Sequence, residues 1–219
     1  MKKTMTVNLK DVKNYATDWL DEIIKNRRKL ILTVLSVFGL WCGARVYIEY
    51  SYTVSEFLTT LMRLVSEGRI LKAFVMLLVI NLVPIMLSFL NGFFAFGMPL
   101  SMLSPCLSGI IIGVINAWLF SAYRLNGVFF SLLSLVPFAV GITIMLLVSC
   151  NESILLSGQI TKLIFLKETG ESGEVKDFFI RHLIIISVSV AITLVQTVVM
   201  VNLYGKLLIR YFILTFFSS

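Results

Sequence analysis

Residues 70–93 read ILKAFVMLLVINLVPIMLSFLNGF, an apolar run whose single charge, Lys72, stands close to one end. A helix needs about 20 apolar residues to cross the ~30 Å hydrocarbon core of a bilayer. Backbone amides and carbonyls find no water there, so a stretch of this kind pairs them internally as a helix or with neighbours in a closed barrel. The period-two alternation of a barrel strand is missing, which leaves the helix.

Outward from this run, residues 30–48, 98–123, 128–150 and 182–203 have the same character. The composition agrees, being 58% hydrophobic and 14% charged, where a soluble domain is about a quarter charged. The sequence therefore predicts an all-α protein, a polytopic transmembrane helical bundle of about five spans. Its transmembrane domain covers residues 30–205. A cytoplasmic amphipathic and basic segment, 1–29, precedes it, and a short apolar tail, 206–219, follows, in which residues 207–217 are too few to cross again alone.

Two segments have the pattern of interfacial helices. In residues 8–25, Leu9, Val12, Tyr15, Ala16, Trp19, Leu20 and Ile23 recur at intervals of three and four, with Arg27, Arg28 and Lys29 after them. This predicts a helix on the cytoplasmic membrane surface. In residues 50–69, Phe57, Leu58, Leu61, Met62, Leu64 and Val65 line one side, Thr53 and Glu56 form a capping box, and Gly68 suits the C-terminal cap. Residues 151–181 form the longest hydrophilic connection, opening on a polar turn at Asn151.

The net charge of +7 is concentrated at the ends and loops, with eight of the nineteen basic residues before Leu30. Beside a membrane span, such a cluster signals cytoplasmic retention and attraction to anionic lipid, and not nucleic-acid binding. With the N terminus inside, twelve of the nineteen basic residues fall on the cytoplasmic side, which predicts an N-in, C-out protein of the cell membrane. No signal-peptide cleavage site follows the first apolar run, so the first span is expected to be an uncleaved anchor.

The spans carry polar and helix-bending residues of their own. Asn81, Pro84 and Asn91 lie in the second, Pro99, Pro105 and Asn116 in the third, Pro137 and Gly141 near the middle of the fourth, and Gln196 in the fifth. The prolines are expected to kink or break their helices. The amides are expected to bond across packed helices. The alternative is a small-molecule transporter or permease subunit, whose broken helices place such residues at a substrate site. No charge lies at a span centre, which weighs against ion-coupled transport. Gly39 with Gly43, and Gly109 with Gly113, present small faces that let another helix approach closely. Packing inside the bundle is favoured over a homo-oligomer, and both readings stay open.

Catalytic groups are few. His182 is the one histidine, next to Arg181 at a span boundary, and reads as a plain interfacial side chain rather than a zinc ligand or a member of a serine triad. Cys42, Cys106 and Cys150 lack metal-ligand spacing and read as small buried hydrophobes. No enzymatic activity, metal or cofactor is expected.

Residues 91–120, NGFFAFGMPLSMLSPCLSGIIIGVINAWLF, and 123–160, YRLNGVFFSLLSLVPFAVGITIMLLVSCNESILLSGQI, resemble the stage II sporulation protein M family, especially its clostridial branch. The first is similar to that family's asparagine- and glycine-rich helix pair. The second is similar to its G-x-x-F-x-x-L-x-x-x-P helix with a polar N-E-S turn after it, here running from Gly127 to Pro137 and then Asn151, Glu152 and Ser153. Many broader members carry a histidine and a glutamate after the proline, whereas Phe138, Ala139, Val140 and Gly141 follow Pro137 here. The resemblance, over residues 30–205, implies a membrane scaffold of endospore-forming bacteria. Such a scaffold recruits and localises peptidoglycan-degrading partners while the forespore is engulfed, and those cell-wall hydrolases do the cutting.

Overall fold

The computed structural model describes the backbone of residues 9–166 and 173–204 and the side chains of 27–164 and 175–203. These residues form six helices: α1 (Leu9–Glu49), α2 (Ser51–Ser66), α3 (Ile70–Asn91), α4 (Gly97–Ser134), α5 (Val136–Leu166) and α6 (Gly173–Tyr204). Five are long and apolar enough to cross a membrane, at Arg27–Glu49, Ile70–Asn91, Gly97–Ser134, Val136–Ile164 and Val175–Leu203. The chain is an all-α, multi-pass membrane protein.

Burial follows from lipid as the solvent. Along α3 the residues facing outward are Val75, Val79, Val83 and Leu87, one per turn, while Ser88 is fully buried. On α6, Ile184, Val188 and Val195 face outward, while His182, Ser189, Thr193, Gln196 and Thr197 are buried. Water would favour the reverse, since an unpaired polar group costs free energy only where water cannot reach it.

Neighbouring residues fix the helix directions. Gly39 meets Cys106 and Gly43 meets Ile110, so residue numbers rise together and α1 runs parallel to α4. Asn81 bonds Thr193 while Phe89 stacks on Phe178, so α3 and α6 are antiparallel. Ser88 meets Ser153 and the Phe94 carbonyl meets Ser157, so α3 and α5 are parallel. Only residues 92–96 separate α3 from α4, so the chain turns back there: α1, α4 as far as Arg124, and α6 run one way and α3 and α5 the other, as five alternating crossings require.

The third and fourth crossings join at Arg124, the one residue within α4 with non-helical torsions (φ 50°, ψ −130°). Had α4 continued straight, Asn116 and Ser131 would lie about 22 Å apart at 1.5 Å per residue. Instead their side chains are hydrogen-bonded, and a Cβ on Gly127 would strike the carbonyl of Leu119. Residues 125–134 therefore fold back along the preceding arm. Spans three and four are therefore antiparallel, joined by a turn tight enough to force an arginine into a conformation that favours glycine.

Several local expectations are corrected. Pro84 and Pro105 sit inside α3 and α4 without interrupting them. Pro137 does disturb the fourth crossing, but the departure falls at Leu135 (φ −112°, ψ −52°), and α5 starts cleanly just before the proline. Proline strains the turn preceding it and is well tolerated in a helix's first turn. The capping box at Thr53 and Glu56 does not form, because α2 starts at Ser51, with a single residue between it and the end of α1, and that residue, Tyr50, is its cap without any side-chain bond. Gly68 behaves as expected, at φ +66°, with Arg69 N–H donating to Leu64 O and Gly68 N–H to Val65 O, a Schellman ending.

The polar turn expected at Asn151 is absent. Residues 151–166 continue α5, and α6 begins at Gly173, nine residues before the expected start of the last span. The expected surface helix of residues 8–25 is, from Leu9 onward, one uninterrupted helix with the first span. At about 60 Å that helix is twice the hydrocarbon thickness. Its side chains before Arg27, and the apolar tail from residue 206, lie outside the described residues.

Two cores result. Leu58, Leu61, Met62 and Val65 of α2 pack with Leu77, Trp118, Leu119, Phe130 and Met200, so α2 closes one end of the bundle with its polar face outward. Leu32, Ile85, Leu146, Cys150, Ile154 and Ile185 fill the other half.

Candidate functional site

The polar residues of the spans form a seam where α3, α5 and α6 meet. Asn81 Nδ2 donates to Thr193 Oγ1 at 3.0 Å and to Gln196 Oε1 at 3.1 Å. Seven residues on, Ser88 and Ser153 hydroxyls lie 3.2 Å apart, and Ser153 donates to the carbonyl of Ser149. Ser149 Oγ is 3.0 Å from His182 Nε2. At the end of the seam, Ser157 and Thr161 donate to the carbonyls of Phe94 and Ala95, capping the α3–α4 connection where regular helix bonding stops.

His182 is therefore buried, 1% exposed, rather than interfacial. It lies deeper than expected because α6 starts earlier, and Arg181 points away to pair with Glu152 Oε2 of α5 at 2.8 Å. The imidazole lies against Phe89 and Phe178. Its Nδ1 is 3.1 Å from the Phe178 carbonyl, which can only accept, so Nδ1 carries a proton, and in the neutral ring Nε2 accepts from Ser149. A triad would need a carboxylate where this carbonyl stands. Ser149 is fully buried, so the pair joins α5 to α6 and offers no face to a substrate.

Each residue singled out in the sequence has a definite place. Gly39, Gly43, Gly109 and Gly113 lie on one seam between α1 and α4. A Cβ on Gly39 would strike the Cys106 carbonyl, on Gly43 that of Ile110, on Gly109 that of Ser36 and on Gly113 that of Leu40. The two glycine pairs interlock within one chain, which is the internal-packing reading. Asn116 donates to the Ile112 carbonyl at 2.8 Å and accepts from Ser131, holding the Arg124 turn closed rather than joining the seam. Asn91 contributes its backbone, accepting from Phe94 N–H and lying where a Cβ on Gly97 would go. Pro84 is buried between Asn81 and Ser88.

Between α2, α3, α4, α5 and α6 lies a cavity of about 30 Å³, with Asn81, Gln196 and Ser108 among its mostly apolar lining. That volume holds a water or two and no larger solute. The second polar feature is a cleft of about 170 Å³ between α5 and α6, toward their connected ends, lined by Glu152, Gln159, Asp177 and Arg181 among others. Among the described residues no cluster of three histidine, cysteine or acidic side chains could hold a metal ion.

Sequence reasoning missed Ser88, Ser149, Ser153 and Thr193 as members of the seam. A signal existed, since Ser149, Ser153, Ser157 and Thr161, and again Ser189, Thr193 and Thr197, recur every fourth residue, which aligns hydroxyls along one helix face. Comparison with protein-family models, with curated proteins and with solved structures finds no match.

Proposed function

We propose that this protein is a non-enzymatic scaffold of the cell membrane, oriented N-in and C-out. It recruits and localises peptidoglycan-degrading proteins during engulfment in sporulating cells. The partner class rests on the resemblance of residues 91–160 to the stage II sporulation protein M family. The observation that carries the scaffold reading is that Asn81, Gln196, Asn116, Ser149 and His182 hydrogen-bond within the bundle. Groups that would meet a substrate in a transporter here hold helices together. Among the described residues three elements remain to present surfaces: α2, with Tyr52, Glu56 and Arg63 on its outer face, the exposed Arg124 turn, and the α5–α6 hairpin at the opposite end.

In this reading α2 and the Arg124 turn face the wall-side partner and the hairpin faces the cytoplasm. Deleting the gene in its source organism and imaging sporulating cells tests it. Arrested engulfment with mislocalised hydrolases is expected, and normal engulfment with unchanged hydrolase positions contradicts it.

A further inference from the structure

The Glu67–Arg69 corner joins α2 to α3, and from it the two helices leave an open groove of about 500 Å³. Phe57 and Leu64 form one wall, Val75, Met76 and Val79 the other, and among the described residues Lys72 is the one charged side chain lining it. We propose that this groove binds an anionic glycerophospholipid, with an acyl chain along α3 and the phosphate on Lys72. The proposal depends on lipid surrounding the bundle and not on the scaffold role.

Depth supports it. Lys72 stands in the first turn of a membrane-crossing helix, so its ammonium lies near the end of the span, at headgroup level. From Lys72 to Val79 the apolar wall descends about 10 Å at 1.5 Å per residue. Val75 and Val79 are each about half exposed, and an acyl chain is the medium in which such a wall is at no disadvantage.

Charge selects the headgroup. Residues 63–72 carry Arg63, Arg69 and Lys72 against the single acid Glu67, which Arg69 already holds at 2.8 Å. Lys72 makes no ion pair among the described residues, and the first turn of α3 has no acidic residue. A zwitterionic headgroup would bring a second cation to this rim, whereas an anionic one brings none.

Native mass spectrometry of the full-length protein in mild detergent, titrated with phosphatidylglycerol and phosphatidylcholine of matched chains, tests this. Phosphatidylglycerol is expected to bind about fivefold more tightly, the effect of one lysine near a membrane surface. Lys72→Gln should erase that preference, and Val75→Trp, which fills the groove, should weaken both lipids. Lys72 is exposed, so Lys72→Gln decides the matter even if Val75→Trp fails to fold. Equal binding of the two lipids to the wild type overturns the proposal. So does a preference that survives Lys72→Gln but falls with Arg27→Gln, which would place the lipid at the basic end of α1.

Discussion

Along α1 and α4 the contact is backbone on backbone, glycine against carbonyl, and among the described residues no side-chain hydrogen bond joins the two helices. Along α3, α5 and α6 the helices are joined by amide, hydroxyl and imidazole side chains. Both seams answer one constraint, that lipid provides no hydrophobic drive between helices, so association rests on close packing and interhelical hydrogen bonds. The glycine seam gains close dispersion contact and weak Cα–H···O contacts over a long parallel interface. It tolerates no added atom. The polar seam spreads its energy over several bonds of modest worth, so it tolerates the loss of any one.

That contrast sets the order of expected effects. Gly43→Val or Gly109→Val places methyl groups on a carbonyl of the facing helix. Overpacking typically costs 1–3 kcal/mol, and with backbone as the obstacle the upper end, about 3 kcal/mol, is expected. Thermal unfolding in detergent micelles should show it as a fall in Tm, and a wild-type Tm would mean that α1 does not pack on α4 as described.

Asn81→Leu removes both donors to Thr193 and Gln196. A cost of about 1 kcal/mol is expected from the range seen for interhelical hydrogen bonds in membranes, measured by equilibrium unfolding in mixed micelles. A loss as large as that of the glycine variants would erase the distinction between the seams. Arg124→Gly touches neither seam and relieves a positive φ at a non-glycine residue, so it should stabilise by about 1 kcal/mol in the same assay. Ser88→Ala leaves Ser153 its bond to the Ser149 carbonyl and should cost only about 0.5 kcal/mol.

The spans were legible because their length and lack of charge are set by bilayer thickness alone. The glycine pairs were legible as motifs, but spacing does not name a partner, and only the fold sets Gly39 on Cys106 rather than on a second copy. Arg181 made His182 look interfacial. One helical step is about 100°, enough to aim Arg181 at Glu152 and its neighbour into the bundle. The turn expected at Asn151 failed for a related reason: a polar tripeptide in a helix needs no turn when Glu152 finds Arg181 and Ser153 finds Ser88. Tertiary partners decided these positions.

The two glycine pairs meet inside one chain. Cys106 lies under Gly39, and Cys42 follows about one turn further along α1, just before Gly43, which meets Ile110. A short bismaleimide added to membranes containing the Cys150→Ser protein, followed by digestion and mass spectrometry, should yield a Cys42–Cys106 link within monomeric protein. A cross-linked dimer joined through Cys42 of two chains, with no intrachain product, would contradict it.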